Sequence, residues 1–212
     1  ALILGGDYSN WKIYFEGISY SKINKEVLTQ RFNKHGLTGC LTIYKSLINQ
    51  TFFSILGGGC EDSVNIVNSK GEDLSLIVKN SFADAFDADF SNLSIKFLDI
   101  KSARNDCVDF SGGYYVIHKA DLKDCYDKAI SIGEKSIFNA SQIFVNRSNI
   151  AISNKDSSIA KISTLVARDT TFCAEVKKKK QEFEGADLLI ENFDCTTPVF
   201  IDPNSKFNGN QL

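Results

Sequence analysis

The chain has 212 residues and a formal net charge of −2, so its overall charge gives no pull toward nucleic acid or an anionic membrane surface. No apolar run approaches the roughly 20 residues that a bilayer span requires, and none of the six cysteines falls in a CxxC pair, which argues against a zinc knuckle. Sixteen Phe against two Pro, with many Ile, Val, Ser, Asn and Asp, favour strands joined by polar turns.

In chain order, the opening ALILGGDYSNWKIYFEG has no basic n-region and no initiator Met, so it does not read as an intact signal peptide, and further domains are expected in a longer chain. GDYSNWKIYFEGISYSK reads as a cap or imperfect first turn, which makes residues 1–36 an N-terminal cap or imperfect first coil. LTGCLTIYKSLI looks like another coil with a longer excursion after it. From there a repeat runs through residues 37–207, leaving 208–212 as a tail. CEDSVNIVNS aligns with FADAFDADFS, then with NDCVDFSGG, DKAISIGEKS, SNIAISNKDSS, FCAEVKKKK and TPVFIDPNS.

One apolar column reads Val64, Phe86, Val108, Ile130, Ile150, Ala174 and Val199, in steps of 22, 22, 22, 20, 24 and 25 residues. Two positions on lies a second: Ile66, Ala88, Phe110, Ile132, Ile152, Val176 and Ile201. Between them runs an outward column of Asn65, Asp87, Asp109, Ser131, Ala151, Glu175 and Phe200. Period-2 alternation of this kind is a short half-buried strand. A second strand type precedes each one, as in LSLIVKNSF, LSIKFLDIKS and IAKISTLVARD. A coil of about 22 residues cannot bury its own apolar face, but stacked coils form a continuous core. The expected fold is all-β: a right-handed, single-stranded parallel β-helix, a solenoid of about 20–25 residues per coil. The LxxLxLxxN signature of leucine-rich repeats is missing, and so are the hairpin turns of an antiparallel sandwich.

SFADAFDADFSN, RNDCVDFSGG, DKAISIGEKS and NIAISNKDSS resemble bacterial right-handed parallel β-helix proteins of the pectate-lyase-like superfamily. More narrowly, they resemble β-helix regions attached to CotH-type kinase-like domains, where DAxDxDFS, NDxxDxSG, DKxISxGE and IAxxxKDxS recur in this order. The resemblance covers residues 37–207 and implies extracellular or envelope carbohydrates as partners. It carries over no catalytic role, and no CotH-type kinase motif lies within the chain.

The acids of DAFDADFS and DCVDFSGG fall into ladders. Asp87 and Asp109 share one outward column, Asp84 and Asp106 another at the preceding turn, and Asp89 lies one step along. Carboxylates stacked about 5 Å apart repel by roughly 3 kcal/mol at an effective dielectric near 20. Shielding them requires a cation, a Lys or Arg, or a shared proton. Lys135, Lys155 and Lys179 read as a basic column on later coils, beside Glu134, Asn154 and Lys178, with Arg104 and Lys128 at turns near the acids.

Three functions compete. One is a calcium-dependent polysaccharide lyase, which the resemblance suggests: Asp87, Asp89 and Asp109 would be the metal ligands, and Asp87, Asp109 and Lys135 the catalytic candidates. A second is a glycoside hydrolase working through paired acids, although the NTD, DD, GHG and RIK motifs of the polygalacturonase-like version are absent. The third, which the recurrence of the ladder favours, is a non-catalytic carbohydrate-related binding or structural module of a secreted or cell-envelope protein. In it Asp84 and Asp106 accept backbone N–H bonds at the turns, and Asp89, Glu134, Lys155 and Tyr126 are the candidate glycan contacts.

Tyr114 and Tyr115 are further candidates for stacking on sugars, whereas Phe86, Phe97 and Phe110 read as inward. Cys107 and Cys173 read as small turn fillers; Cys40 and Cys60 flank one excursion, either paired or free. KKKKQEFEG reads as a solvated loop, with a polyanion contact as the alternative. His35 lies outside the regular coils and His118 on another face; Asn139 and Asn146 begin N-x-S sequons. A protein–protein adhesion surface would be marked by an exposed apolar strip, which the polar outward columns do not suggest.

Overall fold

The computed structural model describes residues 1–18 and 31–212. The part of the expected N-terminal cap between residues 19 and 30 lies outside the described residues. All regular structure among the described residues is β, and every strand pairs in parallel with its neighbours, winding a solenoid of about 8 turns. At roughly 4.8 Å per turn the rod is about 40 Å long.

Two ladders run along it. The first holds β1 (Leu2–Leu4), β3 (Gly39–Tyr44), β5 (Asp62–Val67), β7 (Asp84–Asp89) and β9 (Val108–Ser111). It continues through the C-terminal parts of the long strands β10 (Tyr114–Gly133), β11 (Ile137–Lys155) and β12 (Ile159–Lys177), and ends at β14 (Val199–Ile201). The second holds β2 (Lys12–Glu16), β4 (Phe52–Leu56), β6 (Lys70–Ser81), β8 (Asn92–Ala103) and the N-terminal parts of β10 to β12. It closes with β13 (Asp187–Asp194) and β15 (Lys206–Gln211). Residues 2–16 thus already belong to both ladders, and the second extends beyond residue 207, where the repeat fades from the sequence.

Each coil bends where one residue takes a positive φ. One corner stacks Lys45, Asn68, Phe90, Gly112, Glu134 and Asp156, and the other Asn80, Ser102, Asp124, Arg147 and Asp169, all with φ between 48° and 65°. Asn and Asp tolerate this region best, which accounts for much of the polar turn chemistry in the sequence. Phe90 is the bulky exception. Its ring lies where a Cβ on Gly112 would be, 2.7 Å from that position, so glycine on the next coil makes room for it.

The expected inward columns are correct through four coils and then slip. Val64, Phe86, Val108 and Ile130 stack in register, but the next member is Ile152, not Ile150, followed by Ala174 and Val199. The second column likewise runs from Ile132 to Asn154 and Val176, and Ser153 replaces Ala151 in the outward column. The steps become 22 residues throughout until the last, which is 25. The slip arose because a two-residue shift preserves alternation, so Ile150 and Ile152 satisfy the pattern equally well. The true register places Asn154 in the core, where its amide donates to Asp187 O at 2.8 Å and lies 3.3 Å from Ser158 O.

The core is one cluster along the whole rod. At its centre Phe110 stacks on Tyr115 with centroids 4.2 Å apart and meets Phe86 and Phe138 at 5.7 and 5.8 Å. Tyr115, expected as a surface aromatic, is fully buried, with its hydroxyl 2.7 Å from Ala88 O. Phe97, expected inward, lies half-buried on the outer face beneath Lys119. Phe110→Ala should cost about 3–5 kcal/mol, read as a lowered urea midpoint, while Tyr126→Ala on the surface should leave that midpoint nearly unchanged.

Candidate functional site

The ladder residues bond mainly between coils. The Asp84 carboxylate accepts the Asp106 backbone N–H at 2.8 Å and the Asn105 amide at 2.7 Å, both one coil on. Asp106 in turn accepts the Lys128 N–H at 3.0 Å, and the Lys128 ammonium sits 3.3 Å from it while also pairing with Asp127. The expected turn bonds of Asp84 and Asp106 therefore exist, with donors on the following coil instead of within one turn. A second polar ladder runs the opposite way. Ser46 N–H donates to Ser69 Oγ, Ser69 N–H to Ser91 Oγ, and Ser136 N–H to Ser158 Oγ, at 3.0–3.1 Å.

On the outward face the column is Asn65, Asp87, Asp109, Ser131, Ser153 and Glu175. The Asn65 amide donates to Asp87 at 3.1 Å and Asp89 at 3.2 Å, and lies 3.5 Å from Asp62. Lys155 is only 7% exposed; its ammonium donates to Ser131 at 2.6 Å and stands 3.9 Å from Asp109. Its chain crosses Gly133, where a Cβ would approach Lys155 Cε to 2.9 Å. Lys135, the expected base, is elsewhere: it is exposed, with its ammonium 5.8 Å from the Phe183 ring centre. Lys155 and not Lys135 therefore neutralises the lower end of the acid face. Asp87, Asp89 and Asp109 are neighbours as expected, but the donor among them is an amide. No group of three His, Cys, Asp or Glu among the described residues has a metal-holding arrangement.

Of the expected glycan contacts, Asp89 takes the Asn65 amide, Glu134 is paired with Lys180 and Lys155 is buried. Tyr126 is the most exposed of the four, at 81%. It stands between Arg104 and Asn149 of the adjacent coils, and these three residues line two adjoining depressions of about 880 and 580 Å³. The floor of the larger is the second corner, with Ser102, Asp124, Arg147 and Asp169. Arg147 is held by an ion pair to Asp124, and the Asn149 amide lies 3.4 Å from Asp127. The sequence did carry a signal for this groove: Arg104, Tyr126 and Asn149 each fall two positions after a corner residue, in steps of 22 and 23.

The other expected residues scatter. His35 and His118 are both exposed. The KKKKQEFEG segment is a largely exposed loop, as expected, and is anchored where Asp156 accepts the N–H groups of Lys179 and Lys180 and Ser157 that of Glu184. Tyr114, Ile137 and Ile159 do form an exposed apolar strip in register, which the sequence columns did not suggest, but Asn92 and Asp187 bound it after three residues. Compared with protein-family models, curated proteins and solved structures, the chain matches nothing in any of the three.

Burial pushes the carboxyls of Asp62, Asp84 and Asp106 up to about 7, from an ordinary value of 3.8. It raises Asp89 as well, and Asp87 well above the usual range, where Asp62, Asp89 and Asp109 add their repulsion. Burial alone would lower the Lys128 ammonium, but Asp106 and Asp127 hold it above its ordinary value. For the acids the folded chain holds protons that the unfolded chain releases between pH 3.8 and about 7. Their contribution is complete below that window and is lost as pH rises through it. Unfolding midpoints should therefore be higher at pH 5 than at pH 8. Asp87→Asn should narrow the difference between the two midpoints, because it removes a carboxyl whose protonated form the folded chain favours.

Proposed function

We propose that this chain is a non-catalytic β-helix module of a secreted or cell-surface protein that binds carbohydrate at the Tyr126 groove and otherwise acts as a rigid spacer. Its motifs resemble the pectate-lyase-like β-helices attached to CotH-type kinase-like domains, a resemblance that accords with the solenoid and with a glycan partner. The observation that carries the non-catalytic reading is that the acids are occupied by the coil itself. Asp84 and Asp106 hold backbone N–H groups of the next coil, Asn65 bridges Asp87 and Asp89, and Lys155 covers Asp109. A general acid or base must reach a substrate proton, and these carboxylates are engaged within the scaffold. Two disulfides, Cys40–Cys60 and Cys107–Cys125, favour an oxidising compartment.

The groove has the chemistry that sugars need. A flat, exposed phenol ring offers an apolar face to the C–H face of a pyranose while its hydroxyl stays wet. Guanidinium, amide and carboxylate groups around it present planar pairs of donors and acceptors to vicinal hydroxyls. Binding to a panel of envelope and plant polysaccharides, measured by affinity electrophoresis, should be weakened by about tenfold or more in Tyr126→Ala, with an unchanged melting temperature. Equal retention by the natural chain and by Tyr126→Ala and Arg104→Ala variants would overturn the groove. Calcium-dependent release of unsaturated uronate, followed by ultraviolet absorbance and lost in Asp87→Asn, would replace this reading with the lyase.

A further inference from the structure

Along the first ladder, the residue before each inward column member is Cys40, Ser63, Ala85, Cys107, Ala129, Ala151 and Cys173. Facing it across one corner, at the end of the same coil's second strand, stand Ser81, Ala103, Cys125, Ser148 and Thr170 in register. This corner pair is bonded wherever its chemistry allows. Cys40 is joined to Cys60, Ser63 Oγ donates to Ser81 Oγ at 2.8 Å, and Cys107 is joined to Cys125. On the seventh coil Cys173 holds the first of these places, and Cys195 follows the end of β13; both are buried free thiols. The two thiols are close enough to perturb one another. Cys195 Sγ also lies 3.4 Å from Thr197 Oγ1 and 4.0 Å from Thr170 Oγ1.

We propose that Cys173 and Cys195 are the site of a third disulfide, closed by exchange with a small-molecule disulfide such as oxidised glutathione, which completes a series of staples on every third coil. The spacing is that of the other two: Cys107 follows Cys40 by 67 residues and Cys173 follows Cys107 by 66. The two thiols differ in readiness. Sharing a proton with Cys173, and accepting from Thr197 and Thr170, pulls the Cys195 thiol down to about 6, while the same contact and burial raise Cys173. Cys195 is therefore the attacking group. Its thiolate displaces one thiolate from the small disulfide and forms a mixed disulfide. Cys173, giving up its proton, then attacks Cys195 Sγ and expels the second thiolate. Two protein thiols are oxidised, one disulfide is reduced to two thiols, and the two protons pass to the leaving thiolates. Access comes from the short link between β13 and β14, because β14 has only three residues and pairs with β12 alone.

The test is to equilibrate the folded chain with oxidised glutathione, denature it without reductant, alkylate it and map the disulfide-linked peptides. The expected result is a Cys173–Cys195 linked peptide and loss of both alkylatable thiols, with Cys40–Cys60 and Cys107–Cys125 intact. The oxidised chain should also unfold at a higher urea concentration than the same chain before oxidation. The Cys173→Ser, Cys195→Ser variant, which copies the Ser63–Ser81 pair, should fold and show no such shift. Persistent alkylation of both thiols, a glutathione adduct that does not resolve, or an equal shift in the serine variant would overturn the assignment.

Discussion

Parallel, in-register stacking sets every residue against its own equivalent one coil away, at roughly 4.8 Å. Hydrocarbon benefits from that arrangement without limit, which is why Val64, Phe86, Val108, Ile130 and Ile152 form an unbroken column. Charge does not. A carboxylate repeated on successive coils meets its like at every step, and the chain tolerates this only briefly before changing the chemistry. The column Asp62, Asp84, Asp106 ends in Lys128, and Asp87 and Asp109 lie between Asn65 and Ser131. The concentration of acids in the sequence is thus held within the limits that stacking imposes.

Most of the fold was legible because a solenoid writes its geometry into the spacing. The period, the parallel pairing and the two strands per coil follow from columns that anyone can align. The slip at Ile150 shows where such reading stops, since alternation has a period of two and cannot tell Ile150 from Ile152. Only the partners of Asn154, a buried amide among aliphatics, identify the true position. The disulfides were less legible, because partners at a corner are set by where the chain bends, and bends are fixed by single αL residues spread over Asn, Asp, Ser, Arg and even Phe. Cys107 read as filler because most of its column is small.

The candidate site divides along the same line. Asp89 and Lys155 in the strands and Glu134 at the first corner are each engaged by neighbours that the sequence could not position. Just beyond the corner the side chains are exposed and follow no single residue type from coil to coil. Arg104, Tyr126 and Asn149 occupy that zone, three unlike exposed residues at one stacked position. Specific recognition in such a rod is better sought at its corners than on its flat faces.

The two sets of cross-coil bonds face in opposite directions. Serine hydroxyls receive N–H groups from the coil before them, while Asp84 and Asp106 receive theirs from the coil after. The coils that carry these residues therefore offer half-bonds at their surfaces, and where a clean excision brings two such coils together the half-bonds can meet again. Along the central coils a gain or loss of 22 residues rejoins donor to acceptor, and the steps of 23 and 25 residues elsewhere place their extra residues outside the paired positions. The protein's reach is thus quantised, adjustable in whole turns and resistant to anything finer.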